Sequence, residues 1–246
     1  MNNIDTFQIV DGIKITTTSN LIIPHAKLRF FLDETGAFVD FISSKRPYIC
    51  TIDGLDDFYD TICFAEDNSF ASIRSIAPDR IKKVKTPGII NHGFLSMCGK
   101  INCFPRVKFR YLNKQKRYLI CFNETHGLSN ANIVLFTKDF GFIIKNKKYI
   151  GWYIQNPLNY LCNETIDAPN YLKSINDDDY ELLDAFLNIN SDNRYFKLNG
   201  DDKKLAIELW DAISNLTCKV KNEHIKEIFI VAAKNYYEWR IGHFPN

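Results

Sequence analysis

The sequence predicts an α+β protein, with an antiparallel β meander and N-terminal hairpins followed by a C-terminal portion of about three helices. Three observations carry this. Apolar and polar residues alternate at period two in several runs before residue 170. Turn pairs such as Asp11-Gly12 and Asn146-Lys147 separate those runs. After residue 170 the apolar spacing becomes three and four. No linker rich in Gly, Ser or Pro divides the two parts. Residues 1–170 are therefore expected as a β-rich region with a basic central meander, and 171–246 as a helical portion packed on the same domain. A chain of 246 residues with 46% hydrophobic content can bury such a core.

In chain order, residues 7–10 and 13–16 flank Asp11-Gly12 as a first hairpin. Residues 27–32 and 37–42 form a second around Asp33-Glu34-Thr35-Gly36, and 46–51 is a further strand. Asp53 is expected to cap a short helix over 55–63, with Asp56 and Asp57 at its positive N-terminal end. Residues 69–88, with Pro78, Pro87 and the run Arg80-Ile81-Lys82-Lys83-Val84-Lys85, read as a loop leading to an exposed edge. Between 106 and 111, Arg106, Lys108 and Arg110 alternate with Val107, Phe109 and Tyr111. Period two puts three cations on one strand face. A turn at 113–116 and strands over 117–122, 133–137, 141–145 and 148–154 continue a meander of four or five antiparallel strands with one wet or partner-facing side. Helices are expected over 177–187 and 201–216, and a third from Asn222 with Ile225, Ile228, Phe229, Ala232, Tyr236 and Trp239 in its buried stripe.

Charge is distributed unevenly. Residues 71–150 hold 16 Lys and Arg against 3 Asp and Glu, whereas the whole chain is only +2. Such a block needs an anionic partner, an acidic neighbour in the fold, or solvent. The flat cationic face of Arg106, Lys108 and Arg110, extended by Lys114, Lys116, Arg117, Lys145, Lys147 and Lys148, suits a line of phosphates. The expected function is binding of RNA or DNA, with phosphodiester cleavage as an added activity. The alternative is a non-enzymatic interaction module, an inhibitor or effector, whose basic face binds an acidic protein partner.

Cleavage would need further groups. Asp33, Asp53 and Asp57 are the carboxylates that would hold Mg²⁺ beside the phosphate. His126 is the acid–base candidate for a metal-free reaction, with Glu124 two residues away. Asp33 and Asp57 also fit ordinary turn and helix-start chemistry. His92, Cys98, Cys103, Cys121 and His126 lack diagnostic zinc spacing. The chain contains no GxxxxGK[ST] loop, GxSxG elbow or HExxH helix, which argues against a standard P-loop enzyme, serine hydrolase or zinc peptidase.

No apolar run is long enough to span a bilayer, so no membrane partner is expected. The start carries no basic segment followed by an apolar one. Seven widely spread cysteines read as free thiols, with Cys63, Cys121 and Cys218 among apolar neighbours. Together these point to a cytoplasmic protein.

Overall fold

The computed structural model describes residues 5–19, 27–33, 36–52, 60–101, 104–164, 166–168 and 175–242. Asp11 and Gly12 turn β1 (Thr6–Val10) into β2 (Ile13–Thr18). Gly12 has φ 78°, a left-handed conformation open to glycine at little cost. The second hairpin pairs β3 (Lys27–Asp33) with β4 (Gly36–Ile42) in unbroken register. Next come β5 (Ile49–Ile52), β6 (Thr61–Phe64), β7 (Phe70–Ala77) and β8 (Gly88–Met97). The basic region supplies β9 (Phe109–Asn113), β10 (Tyr118–Phe122), β11 (Ala131–Leu135), β12 (Phe140–Lys145) and β13 (Lys148–Gln155). A 3-10 turn, Pro157–Tyr160, leads to the short β14 (Leu161–Cys162).

Among the described residues, four helices close the chain: α1 (Asp177–Ile189), α2 (Asp192–Lys197), α3 (Asp202–Thr217) and α4 (Glu223–Ile241). Their starts are written locally. Asn176 and Asp179 form a reciprocal capping box on α1, and Asp201 and Asn222 cap α3 and α4 with their side chains.

The strands form an eight-stranded sheet, β1-β2-β8-β11-β12-β13-β10-β9, and a six-stranded sheet, β14-β3-β4-β7-β6-β5. Aromatic rings fill the space between them. Phe41 on the smaller sheet lies 5.4 Å from Phe140 on the larger, and Phe70 lies 6.5 Å from Phe136. The same buried cluster continues through Leu183, Phe186, Leu209, Ile228 and Phe229 of the helices. A smaller cluster occupies the outer face of the eight-stranded sheet, with Ile120, Phe122, Ile133, Leu135 and Ile143, and with Val84, Phe109 and Tyr111 packed against it.

Several expectations are corrected. Part of the expected 55–63 helix is strand: Thr61–Phe64 pairs with β7, where a ladder partner outweighs a local helix-start pattern. Asp53 and Asp57 lie outside the described residues. The 69–88 segment expected as a loop contains β7, and β8 begins at its end. The basic strands are not a sequential meander, because β10 pairs with β13 and β11 runs parallel to β8. Regular pairing in the 106–111 segment starts only at Phe109. Cys50 and Cys63, directly opposed on β5 and β6, form a disulfide, so Cys63 is not free. Cys218 is exposed, while Cys121 and Cys162 are free and buried. Trp239, expected in the buried stripe of α4, is 56% exposed near the helix end, while Ile225, Ile228, Phe229, Ala232 and Tyr236 are buried as expected. Among the described residues, no helix is long and apolar enough to cross a membrane.

Candidate anion-binding groove

The expected three-cation face is broken at Arg110. Arg106 and Lys108 are exposed, but Arg110 is only 2% exposed. It sits opposite Cys121 of β10, a core position, so its side of β9 faces inward there. The guanidinium donates to the carbonyls of Leu187 and Asn190 at the end of α1, and faces Asp79 at 3.4 Å. Burial pushes the Arg110 pKa down, and the Asp79 carboxylate opposes that shift. Arg110 is therefore a structural cation serving helix carbonyls, where a positive charge also complements the helix dipole.

Other members of the block meet acidic neighbours. Lys114 pairs with Glu181 at 2.9 Å and Asp184 at 3.0 Å, both on α1. Arg117 pairs with Asp177 at 3.2 Å, donates to the Ile175 carbonyl at 3.1 Å, and lies 5.6 Å from the Tyr180 ring centroid. Lys145 pairs with Glu124 at 3.1 Å. The acidic first half of α1 thus lies against the β9–β10 turn, and much of the charge block is matched within the fold.

Other cations gather at one end of the eight-stranded sheet. After β7 the chain runs beside β9, where Arg110 N–H donates to the Arg80 carbonyl and Lys82 N–H to the Arg110 carbonyl. It then crosses the outer sheet face to start β8 beside β11. This strap alternates. Val84 packs on the outer cluster and Thr86 hydrogen-bonds the Tyr118 hydroxyl, whereas Lys83 and Lys85 are exposed. Lys82 reaches the Thr125 carbonyl and lies 4.9 Å from the Phe109 ring centroid, tying the strap to the loop after β10.

Strap and loop enclose a groove of about 590 Å³. Lys83, Lys85 and His126 line it with Thr125, Ser129 and Asn130, and among the described residues no carboxylate does so. Gly127, at φ 89°, lets the loop turn between His126 and Leu128. Lys147 and Lys148 are exposed at the β12–β13 turn. Strand register places that turn at the same sheet end, since Ala131 of the groove pairs with Lys145, which pairs with Lys148. Lys108 joins that end through its N–H bond to Phe122. Lys116 is exposed in the β9–β10 turn, at the opposite end of β10.

Asp33 closes the β3–β4 hairpin, its carboxylate accepting the Gly36 N–H at 3.1 Å. It belongs to the six-stranded sheet, whereas His126 follows β10 of the other. The Glu124 carboxylate is held by Lys145, and neither Glu124 nor His126 lies in a strand. Among the described residues, no group of three or more His, Cys, Asp or Glu is placed to hold a metal ion. The strap lysines, Lys83 and Lys85, were legible in the sequence only as a charge run between two prolines. Nothing in the sequence pairs that run with residues 125–131.

Comparison with protein-family models, with curated proteins and with solved structures finds no match.

Proposed function

We propose that this chain binds nucleic acid through its phosphate backbone, at the sheet end formed by the strap and the β12–β13 turn. The observation that carries this reading is the groove, which presents Lys83, Lys85 and His126 and, among the described residues, no carboxylate. Arg110, Lys114 and Arg117 are assigned instead to holding α1. Lys108, Lys147 and Lys148 extend the cationic path beyond the groove, and each phosphate contact would release counterions. His126 is the acid–base group a cleavage reaction would use here. Mg²⁺-dependent cleavage through Asp33, Asp53 and Asp57 gains no support from the position of Asp33. A cytoplasmic setting is proposed from the exposed free thiols Cys98 and Cys218, and the Cys50–Cys63 disulfide is the observation that counts against it.

The test is fluorescence anisotropy with labelled RNA and DNA across a salt series, with gel analysis for cleavage in Mg²⁺ and in chelator. Wild type is expected to bind at low salt and weaken steeply as salt rises. Replacing Lys83 and Lys85 together with Ala should lower the logarithmic salt slope by about 1–2. Replacing Lys114 should leave it unchanged. Absence of salt-sensitive binding to any nucleic acid, with polyglutamate bound instead, would turn the assignment to an acidic protein partner.

A further inference from the structure

The groove has walls, a floor and a definite size, and these restrict what form of nucleic acid enters it. One wall is the strap, pinned by Lys82 to the Thr125 carbonyl and by Thr86 to Tyr118. The other is the loop 125–131. Leu128 and Ala131 are buried members of the outer-face cluster and form an apolar floor, while Ser129 and Asn130 are exposed on the loop. The lysines thus belong to the strap, His126, Ser129 and Asn130 to the loop, and Leu128 and Ala131 supply apolar surface. The volume of about 590 Å³ is that of a small-molecule site. A duplex keeps its bases paired and stacked, so it can offer such a pocket only its backbone. An unpaired strand can splay a base out and present its edge to polar side chains.

We propose that the groove takes one nucleoside phosphate unit of a single strand, with its phosphate at Lys83 and Lys85 and its base between the Leu128–Ala131 floor and the Ser129–Asn130 rim. This rests on the phosphate-binding reading above and adds the ligand class. Among the described residues no aromatic ring lines the groove, so the base is held by apolar contact and hydrogen bonds without ring stacking. The same chemistry belongs to a free nucleotide, and the two sources differ in how much of the outlying cationic path they touch. A strand also reaches Lys147 and Lys148, whereas a mononucleotide uses the groove alone.

The experiment measures anisotropy with a labelled ten-nucleotide single strand and with the same strand annealed to its complement, at one low salt concentration. The single strand is expected to bind about tenfold more tightly. Ser129→Leu narrows the groove without removing a cation or adding a stacking ring and should erase that preference while leaving duplex binding in place, with circular dichroism confirming the fold. Unlabelled adenosine monophosphate should displace the single strand at concentrations where inorganic phosphate does not. This readout needs no variant. The Lys147→Ala/Lys148→Ala pair should weaken the strand and leave mononucleotide competition unchanged; loss of both equally would remove the distinction between groove and path. Equal binding of single strand and duplex, or equal competition by nucleotide and phosphate, overturns the proposal while leaving phosphate binding intact. No salt-sensitive binding at all overturns both.

Discussion

The guanidinium of Arg110 donates to the main-chain carbonyl of Asn190 at 2.6 Å, across 80 residues of chain. The same group bonds the Leu187 carbonyl, and a second nitrogen faces Ala77 and Asp79 at 3.4 Å. One buried side chain therefore joins β9, the end of β7 and the C-terminus of α1. Arg110→Met keeps similar bulk but leaves those acceptors without their donor. The expected loss of folding stability is about 3 kcal/mol, read as a lower urea midpoint at unchanged denaturant slope. Nucleic-acid affinity of the folded variant should match wild type, because Arg110 does not reach the groove. A stability change below about 0.5 kcal/mol, within the range of ordinary surface substitutions, would remove the anchoring role.

Why the sequence pointed to Arg110 as a surface cation is a question of what covers a strand face. Period two correctly separates Arg110 from Phe109 and Tyr111, which pack on the outer-face cluster. Alternation cannot say which face meets a neighbouring element. That is set by α1, more than 65 residues later, whose open carbonyls need a donor. The helices and first hairpins were legible because their signals are local: Asn176, Asp201 and Asn222 cap, and Asp11-Gly12 turns. β6 and β7 were hidden because their partners, not their own patterns, define them. The groove combines two segments about 40 residues apart, and only its charge run was visible beforehand.

The Lys114 pairs with Glu181 and Asp184 hold α1 in a different way. Lys114 is 36% exposed and Glu181 50%, and the contact with Glu181 is the main cause of the raised Lys114 pKa. Solvent screens such a pair. A double-mutant cycle with Lys114→Ala and Glu181→Ala should give a coupling of no more than about 1 kcal/mol, shrinking as salt rises. Coupling above about 2 kcal/mol would mean the pair is desolvated in solution.

Thiol chemistry separates the cysteines by burial. Cys98 and Cys218 are exposed, and Cys121 and Cys162 are buried. Burial pushes the Cys162 thiol up to about 12 and Cys121 well above its ordinary value. Brief iodoacetamide treatment of the native protein at mildly alkaline pH, followed by peptide mapping, should therefore modify Cys98 and Cys218 and spare Cys121 and Cys162. Cys50 and Cys63 should become modifiable only after a reductant opens their bond. Rapid modification of Cys121 in folded protein would contradict its place in the core.

Asp60 provides a pH test of packing between the sheets. It is 4% exposed, precedes β6, and accepts the Ile76 N–H at 2.9 Å. Burial raises its pKa above the ordinary 3.8, against the opposing pull of the Ile76 and Val107 N–H groups and of Arg106. Between the unfolded and folded values the native state holds more proton than the unfolded chain. Stability from this group is therefore full below about pH 4 and declines as pH rises through the folded value. Asp60→Asn retains an oxygen for the Ile76 N–H and cannot titrate. The stability of the variant minus that of wild type should rise as pH is taken from 3 to 7 and then level off. Urea unfolding at several pH values measures this difference directly. A difference that is flat with pH, or that falls, would show that the Asp60 carboxylate is solvated in the folded protein.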